Sequence, residues 1–474
     1  MARPHLTVGA VLAIVILTTC AKGELVVEEV DREISILGYR TRSSMDIRLR
    51  NDGSEAVESF VFCEPLTAYY NSSACEVGIK DGGENSQLSF EEWIPPAELE
   101  DRIFCSEYAL RDPLLPEESV TVAVVAIYTA LLRPFPARVR QGETPQFLYE
   151  DTTTLAMPYR VERSLTALKT GAQEIISFQP DSLRRRESEQ GASISERREN
   201  NGTLVAEVED VEPWTFPTLT VHFASTKAVL SAPRVERVID ISLWGAVTFE
   251  ERYEIHNMGP PLEGGMSRLE MLSQDDGTTG STRGVYAQGL SPQAEAITFR
   301  DGIGNVSTSA VARQPDSTIV QLRPRYPLFG GWVTDFLFSW RQPLGETVKV
   351  AKGGMHVLVA RFGPTITELS VDEVVVRVRL PPGASLVSST TPMELRKSTA
   401  RVWTLLDLAP RTELVLVRSR YVPELNTPLH VVFVPSLVTL FAKPALLSLA
   451  WGAVFAVAGL AWRAHAAIKA IKAD

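Results

Sequence analysis

Apart from His5, the histidines stand at His222, His256, His356, His430 and His465. None has the HExxH or HxH spacing by which two imidazoles share a zinc ion, and no metal site is expected. Cys63, Cys75 and Cys105 form no CxxC and have no histidine close in sequence, so they do not suggest a metal site either. Glu250 and Glu251 are adjacent on a strand-like run; side chains there alternate between faces, so these carboxyls cannot work as an acid–base pair. "GIGNVS" from Gly302 lacks the third glycine of a dinucleotide fingerprint and reads as a turn. The chain has no GxSxG elbow and no phosphate loop. The expectation is a protein with no catalytic residues and no cofactor of its own. One stretch still demands a role. "RPRYPLFGGW" (323–332) gathers Pro, Gly, Arg and aromatic rings, yet Arg323 and Arg325 stay charged and can clamp but not shuttle protons.

The elements around these residues read as mainly β. "MDIRLR" alternates Met45, Ile47 and Leu49 with charged residues, "NDGS" turns the chain, and "AVESFVF" starts a second run, a hairpin pattern. "VTVAVVAIY" is apolar and β-branched like a central strand. "EVVVRVRL" alternates Val376 and Val378 with Arg377 and Arg379 before "PPGA" stops it. A short helix is expected only around "AELEDRIFCSEYAL". The Arg/Glu/Ser-rich stretch Asp181–Asn200 reads as a solvated loop, and no internal repeat stands out. The length of 474 residues exceeds one core. Two β-sandwich-like domains are expected, 24–232 and 233–435. A net charge of −11 argues against a nucleic-acid partner.

The ends set the compartment. Arg3, the apolar run Val8–Leu17 and small residues up to Ala21 have the layout of a secretory signal peptide, 1–21; "LTTC" before Cys20 offers a lipoprotein signal as the competing reading. Pro444–Trp462 carries no charge, and at about 1.5 Å per residue it approaches the roughly 30 Å hydrocarbon thickness of a bilayer. Arg463, Lys469 and Lys472 follow and favour a cytosolic tail, 463–474. The expected topology is single-pass type I. One disulfide is expected among Cys63, Cys75 and Cys105, with three pairings open. Sequons at Asn71, Asn201 and Asn305 fit a lumenal ectodomain.

Several stretches follow one another in a particular order: Trp244-Gly245, Gly264–Arg268, "RDGIGNVSTS" (Arg300–Ser309) and "PRYPLFGGW" (Pro324–Trp332). Taken together, ahead of one span, they resemble the ribophorin I family, the non-catalytic subunit 1 of the endoplasmic-reticulum oligosaccharyltransferase. The resemblance is dense from about 215 to 345; "RTRSS" (Arg40–Ser44) and "RPFPARVRQGETPQFLYE" (Arg133–Glu150) extend it. It implies an accessory role in protein N-linked glycosylation, in which a preassembled glycan passes from dolichyl diphosphate to Asn of Asn-X-Ser/Thr in nascent chains. The partners implied are the other subunits, including the multi-span catalytic one, and nascent polypeptides; the localisation implied is the endoplasmic-reticulum membrane. The chain departs from mammalian-type members, which carry a long helical cytosolic domain implicated in ribosome contact. Here "RAHAAIKAIKAD" follows Trp462, which resembles the short-tailed fungal form and argues against direct ribosome contact. Lys472 suits a dilysine signal but Lys469 is misplaced, so retention through the complex is expected.

Particular residues follow from this reading. Gly330-Gly331 permit a backbone turn, and Arg323, Arg325, Tyr326, Phe329 and Trp332 fill a core or form an interface. Gly452, Ala456 and Gly459 form a small-residue stripe where another transmembrane helix could pack. Asn305, inside a family motif, is the first glycosylation candidate, ahead of Asn71 and Asn201. The alternative function is a type I receptor or adhesion protein.

Overall fold

Apolar side chains at alternate positions turn Leu25–Ile36, Arg40–Asn51 and their neighbours into strands with one buried face. The computed structural model describes residues 25–80, 86–171, 174–179, 194–199, 203–273, 280–404 and 407–471. The expected signal peptide, Asn201 and Lys472 lie outside the described residues.

In the first unit a large sheet runs Ile194–Glu199, Thr203–Val211, Arg160–Lys169, Leu25–Ile36, Arg40–Asn51, Ser119–Thr129, Ser72–Ile79, Ser86–Gln87. Every neighbouring pair is antiparallel except Leu25–Ile36 beside Arg160–Lys169, which is parallel. Two smaller sheets cover its apolar face. One runs Ile175–Gln179, Thr218–Ala224, Gln146–Thr152, Leu132–Pro134; the other Val57–Pro65, Ile103–Leu114, Phe90–Trp93. Phe147, Tyr149 and Phe223 fill one core beneath the first, Phe60, Phe62 and Tyr108 another beneath the second.

The second unit repeats this plan, lacking among the described residues only a counterpart of the two-residue edge strand Ser86–Gln87. Its main sheet runs Arg396–Val402, Arg411–Tyr421, Ser370–Arg379, Leu230–Ile241, Ala246–Asn257, Val333–Pro343, Glu295–Arg300, again with one parallel pair, Leu230–Ile241 beside Ser370–Arg379. A four-stranded sheet (Ser385–Thr390, Pro428–Val434, His356–Arg361, Val348–Val350) and a three-stranded one (Val285–Leu290, Thr318–Leu322, Ala310–Arg313) cover it over a single core. Corresponding strands occur in the same sequence order in both units. The chain is therefore a tandem structural repeat, a correction to the reading that none was present.

Four further expectations change. Met45–Arg50 and "AVESFVF" do not form a hairpin: Arg40–Asn51 pairs with Leu25–Ile36 and Ser119–Thr129, whereas Val57–Pro65 crosses to a covering sheet. The buried Asn51 amide holds that crossing by donating to Glu55 O (2.7 Å) and Leu114 O (2.9 Å). The expected helix at "AELEDRIFCSEYAL" is a turn followed by the strand Ile103–Leu114, because both faces of the strand's start are buried, Ile103 and Cys105 in one cluster and Tyr108 in another. Ile194–Glu199, placed in a solvated loop, is instead an edge strand. Finally, Leu230–Ile241 runs unbroken through 232–233; no sheet among the described residues mixes strands from before 225 and after 229. The C-terminal helix, Leu437–Ile471, extends beyond 444–462 at both ends, and its stretch Val438–His465 is long and apolar enough to cross a bilayer.

Candidate functional site

Two strand-to-strand loops and one turn build the site at one end of the second unit's main sheet. Residues 323–332 link Thr318–Leu322 to Val333–Pro343, and 301–309 follow Glu295–Arg300. The third piece is the turn Met258–Pro261 after Ala246–Asn257. Asn257 is its hub. Its buried side-chain amide donates to Gly280 O (2.9 Å) and Leu328 O (3.0 Å), and its Oδ1 accepts from Gly259 N (3.0 Å). Its backbone carbonyl accepts from Gly331 N at 2.8 Å. Gly330 has no room for a side chain, because a Cβ there would stand 2.1 Å from the Pro260 carbonyl oxygen. Gly331 has φ +74°, a left-handed backbone that favours glycine.

This packing divides the expected interface residues. Phe329 is buried and meets Trp332 edge-on at 5.3 Å, so it is removed from the surface set; Trp332 is half-buried beside the core. Tyr326 is 66% exposed and lies with Ile303 (78%) and Val333 (53%) around a cleft of about 280 Å³. Arg323 donates to Gln321 Oε1. Arg325 clamps Asp301 (2.6 Å) and donates to the Asn305 carbonyl (3.1 Å), so it ties "RDGIGNVSTS" to "PRYPLFGGW". The other stretches with family character meet nearby across the two units. Val139 N donates to Pro261 O, Glu263 N donates to Val139 O, and Gln141 Nε2 donates to Ser267 O at 2.9 Å.

The Arg325 guanidinium, with the Gly304 and Ile303 amides, holds the Asp301 carboxyl below the ordinary Asp range. A depressed carboxyl contributes stability above its ordinary pKa, and that contribution is lost as pH falls through the lowered value. Arg325→Gln is expected to move Asp301 upward without restoring it fully, since both amides still donate. A carboxyl-carbon titration by NMR checks this; an unmoved Asp301 would mean the clamp is not its cause.

Sequence reasoning missed a buried polar cluster. Arg237 and Glu251 face each other in register on neighbouring strands, both with buried side chains, at 2.7 Å. Glu251 also accepts from Tyr253 Oη (2.5 Å) and from Thr365 Oγ1 (2.6 Å) and N (3.2 Å), while Arg237 donates to Gly363 O. Burial, then Glu251, pushes the Tyr253 hydroxyl well above its ordinary value and keeps it a donor. Arg32 is the first unit's counterpart: it reaches Asp151 (2.9 Å), Thr152 O (3.1 Å) and Ser43 (3.2 Å). The signal was present in the sequence as charged residues in inward positions: Arg32, Ile34, Ile36 in one strand and Arg237, Ile239, Ile241 in the other.

Of the three cysteines considered for pairing, Cys63 and Cys105 are bonded across a strand pair and Cys75 is free. Burial pushes the Cys75 thiol up, which keeps it protonated. Asn305 is exposed. Asn71 donates to Thr67 O and sits beside the unit junction, where Arg418 and Arg420 donate to Ser73 O and Ser72 O. Gly452, Ala456 and Gly459 lie on the part of the C-terminal helix that no other described segment covers.

Fold and site together define a class: tandem β units joined to a helix able to cross a membrane, with a loop site whose Arg323 and Arg325 are engaged by the chain itself. Within that class, the chain belongs to the ribophorin I family, whose model matches residues 25–462. It is similar to dolichyl-diphosphooligosaccharide–protein glycosyltransferase subunit 1A of Arabidopsis thaliana, 30% identical over 92% of this chain and 70% of the relative. Subunit 1B of the same plant is 26% identical over 93% and 92%. Subunit 1 of Caenorhabditis elegans is 27% identical over 76% of this chain and 60% of the relative.

Proposed function

We propose that the chain is a non-catalytic subunit of the oligosaccharyltransferase complex in the endoplasmic-reticulum membrane, with both β units lumenal and the tail cytosolic. In this reading it supports transfer of a preassembled glycan from dolichyl diphosphate to Asn of Asn-X-Ser/Thr. It does so by stabilising the complex beside the multi-span catalytic subunit and by helping to present nascent polypeptide. The observation that carries the reading is how the family-type stretches are used. They join the two units through Val139, Gln141, Pro261 and Ser267, and they surround an exposed apolar cleft at Ile303, Tyr326 and Val333. Such a surface suits docking of another chain, because exposed aromatic and aliphatic groups beside a fixed Arg are favoured at interfaces.

The test is mild-detergent purification of the tagged full chain from its own membranes, followed by mass spectrometry. The multi-span glycosyltransferase subunit is expected in stoichiometric amount, and the Asn305 peptide is expected to carry an endoglycosidase-sensitive glycan. An intact chain at the cell surface without that subunit would sink the proposal in favour of a type I receptor. An unglycosylated Asn305 would withdraw that residue as the acceptor.

A further inference from the structure

The C-terminal helix is latched to the second β unit at its first turns. Pro444 lacks an N–H, so the carbonyl four residues earlier, on Leu440, has no helical donor. Trp244 Nε1 donates to that carbonyl at 3.1 Å, and its ring meets Phe441 edge-on at 5.7 Å. Thr439 Oγ1 donates to Pro382 O at 2.5 Å, and Gly383 is packed so closely that a Cβ would stand 2.8 Å from Thr439. Lys443 pairs with Asp407, whose side chain is buried, at 2.6 Å. The described loop residues making these contacts, 242–245, 380–384 and 407–410, emerge from one end of the main sheet, as do 403–404. The register aligns Asp240 with Arg379, Arg379 with Glu413 and Val402 with Arg411. Arg411 ties this end together by donating to Leu380 O, Asp240 and Ile241 O.

That latch fixes a depth. At about 1.5 Å of rise per residue, Leu440 is only about 6 Å from Pro444, where the uncharged run begins. The headgroup layer on each side of a bilayer is about as thick. The loops at this end expose Trp244 (60%), Trp403 (63%) and Leu408 (60%), and an indole, apolar with one polar N–H, suits that layer. We propose that this end of the second β unit is a membrane seat, with Trp244, Trp403 and Leu408 embedded in the phospholipid headgroup layer that the C-terminal helix enters. The inference rests on the reading of that helix as the membrane span. Its consequence is geometric: the cleft at Ile303 and Tyr326 opens at the opposite end of the same sheet, roughly 35 Å from the lipid at about 3.3 Å per strand residue.

The full chain in phosphatidylcholine nanodiscs, with and without acyl chains brominated near the headgroup, tests this through tryptophan quenching. Trp403→Phe is expected to subtract from the quenched emission and leave the residual emission in brominated lipid unchanged. Loss from the residual pool instead would overturn the seat. Trp451→Phe is the control for the span: if it too takes nothing from the quenched pool, the helix reading fails first. Should Trp403→Phe not fold, a nitroxide at Leu408→Cys replaces it, read against one at Ile303→Cys at the far sheet end. The Leu408 label is expected to be more accessible to oxygen and less to a nickel chelate; equal values at both positions would overturn the seat.

Discussion

Glu251→Ala is expected to destabilise the second β unit by about 3–5 kcal/mol, because the nearly buried Arg237 then keeps its charge without its carboxylate partner. The Thr365 and Tyr253 donors lose their acceptor in the same step. For a unit of this size the loss corresponds to a fall of roughly 6–20 °C in the unfolding temperature of the detergent-solubilised chain. The paired change Arg237→Met with Glu251→Leu is expected to recover only the part due to the unpaired charge, since the Thr365 and Tyr253 donors still lack their acceptor. A single variant that melts within a degree of the parent would show that Arg237 finds water or another acceptor. The cluster's role would then be smaller than its geometry implies.

Gly330→Ala is the second large effect, at about 3 kcal/mol. The atoms its Cβ would meet are Pro260 O at 2.1 Å and Pro260 C at 2.7 Å, both backbone, so no side-chain rotation relieves the clash. The 323–332 loop must move, and the bond from Gly331 N to Asn257 O is the first to be lost. Gly331→Ala is expected to cost less, about 1–2 kcal/mol, from its left-handed backbone and a close contact of 3.1 Å, rather than an overlap, with Pro261 Cβ. Gly302→Ala, in the same site but with nothing within 4 Å, is expected to change stability by no more than about 0.5 kcal/mol. Thermal unfolding of the three variants checks the order. Equal melting points for Gly330→Ala and Gly302→Ala would refute the packing account of the motif. The order also separates two uses of the stretch: its glycines and Phe329 hold the fold, and Tyr326 alone of its rings is widely exposed.

The repeat shows how tertiary information can hide in a sequence. Corresponding strands need only the same inward pattern, and in this strand pair the residues kept are inward ones: Leu25, Val30, Arg32, Ile34 and Ile36 match Leu230, Val235, Arg237, Ile239 and Ile241. The buried arginine at the same place in both units is a local trace of the duplication, legible once its strand neighbours face the core. A charged residue breaking an inward apolar series is informative because an unpaired buried charge is so costly that its partner must lie nearby.

Local chemistry in the sequence was enough for the mainly β class, the central strands Ser119–Thr129 and Ser370–Arg379, the apolar helix near the C-terminus, and the family. Those properties follow from period-two alternation, uninterrupted apolar length and ordered motifs, all readable along the chain. Strand partners were not. Arg40–Asn51 and Val57–Pro65 look like a hairpin because turn chemistry is local, but pairing is decided by which apolar faces can be covered together. The same holds for the strand Ile103–Leu114, drawn from its helical look by the bond from Cys105 to Cys63 and by the core against Phe60. It holds for Trp244, whose indole meets a carbonyl 196 residues away because Pro444 leaves that carbonyl without a donor. Alternation says which way a side chain points. Only the assembled layers say what it meets.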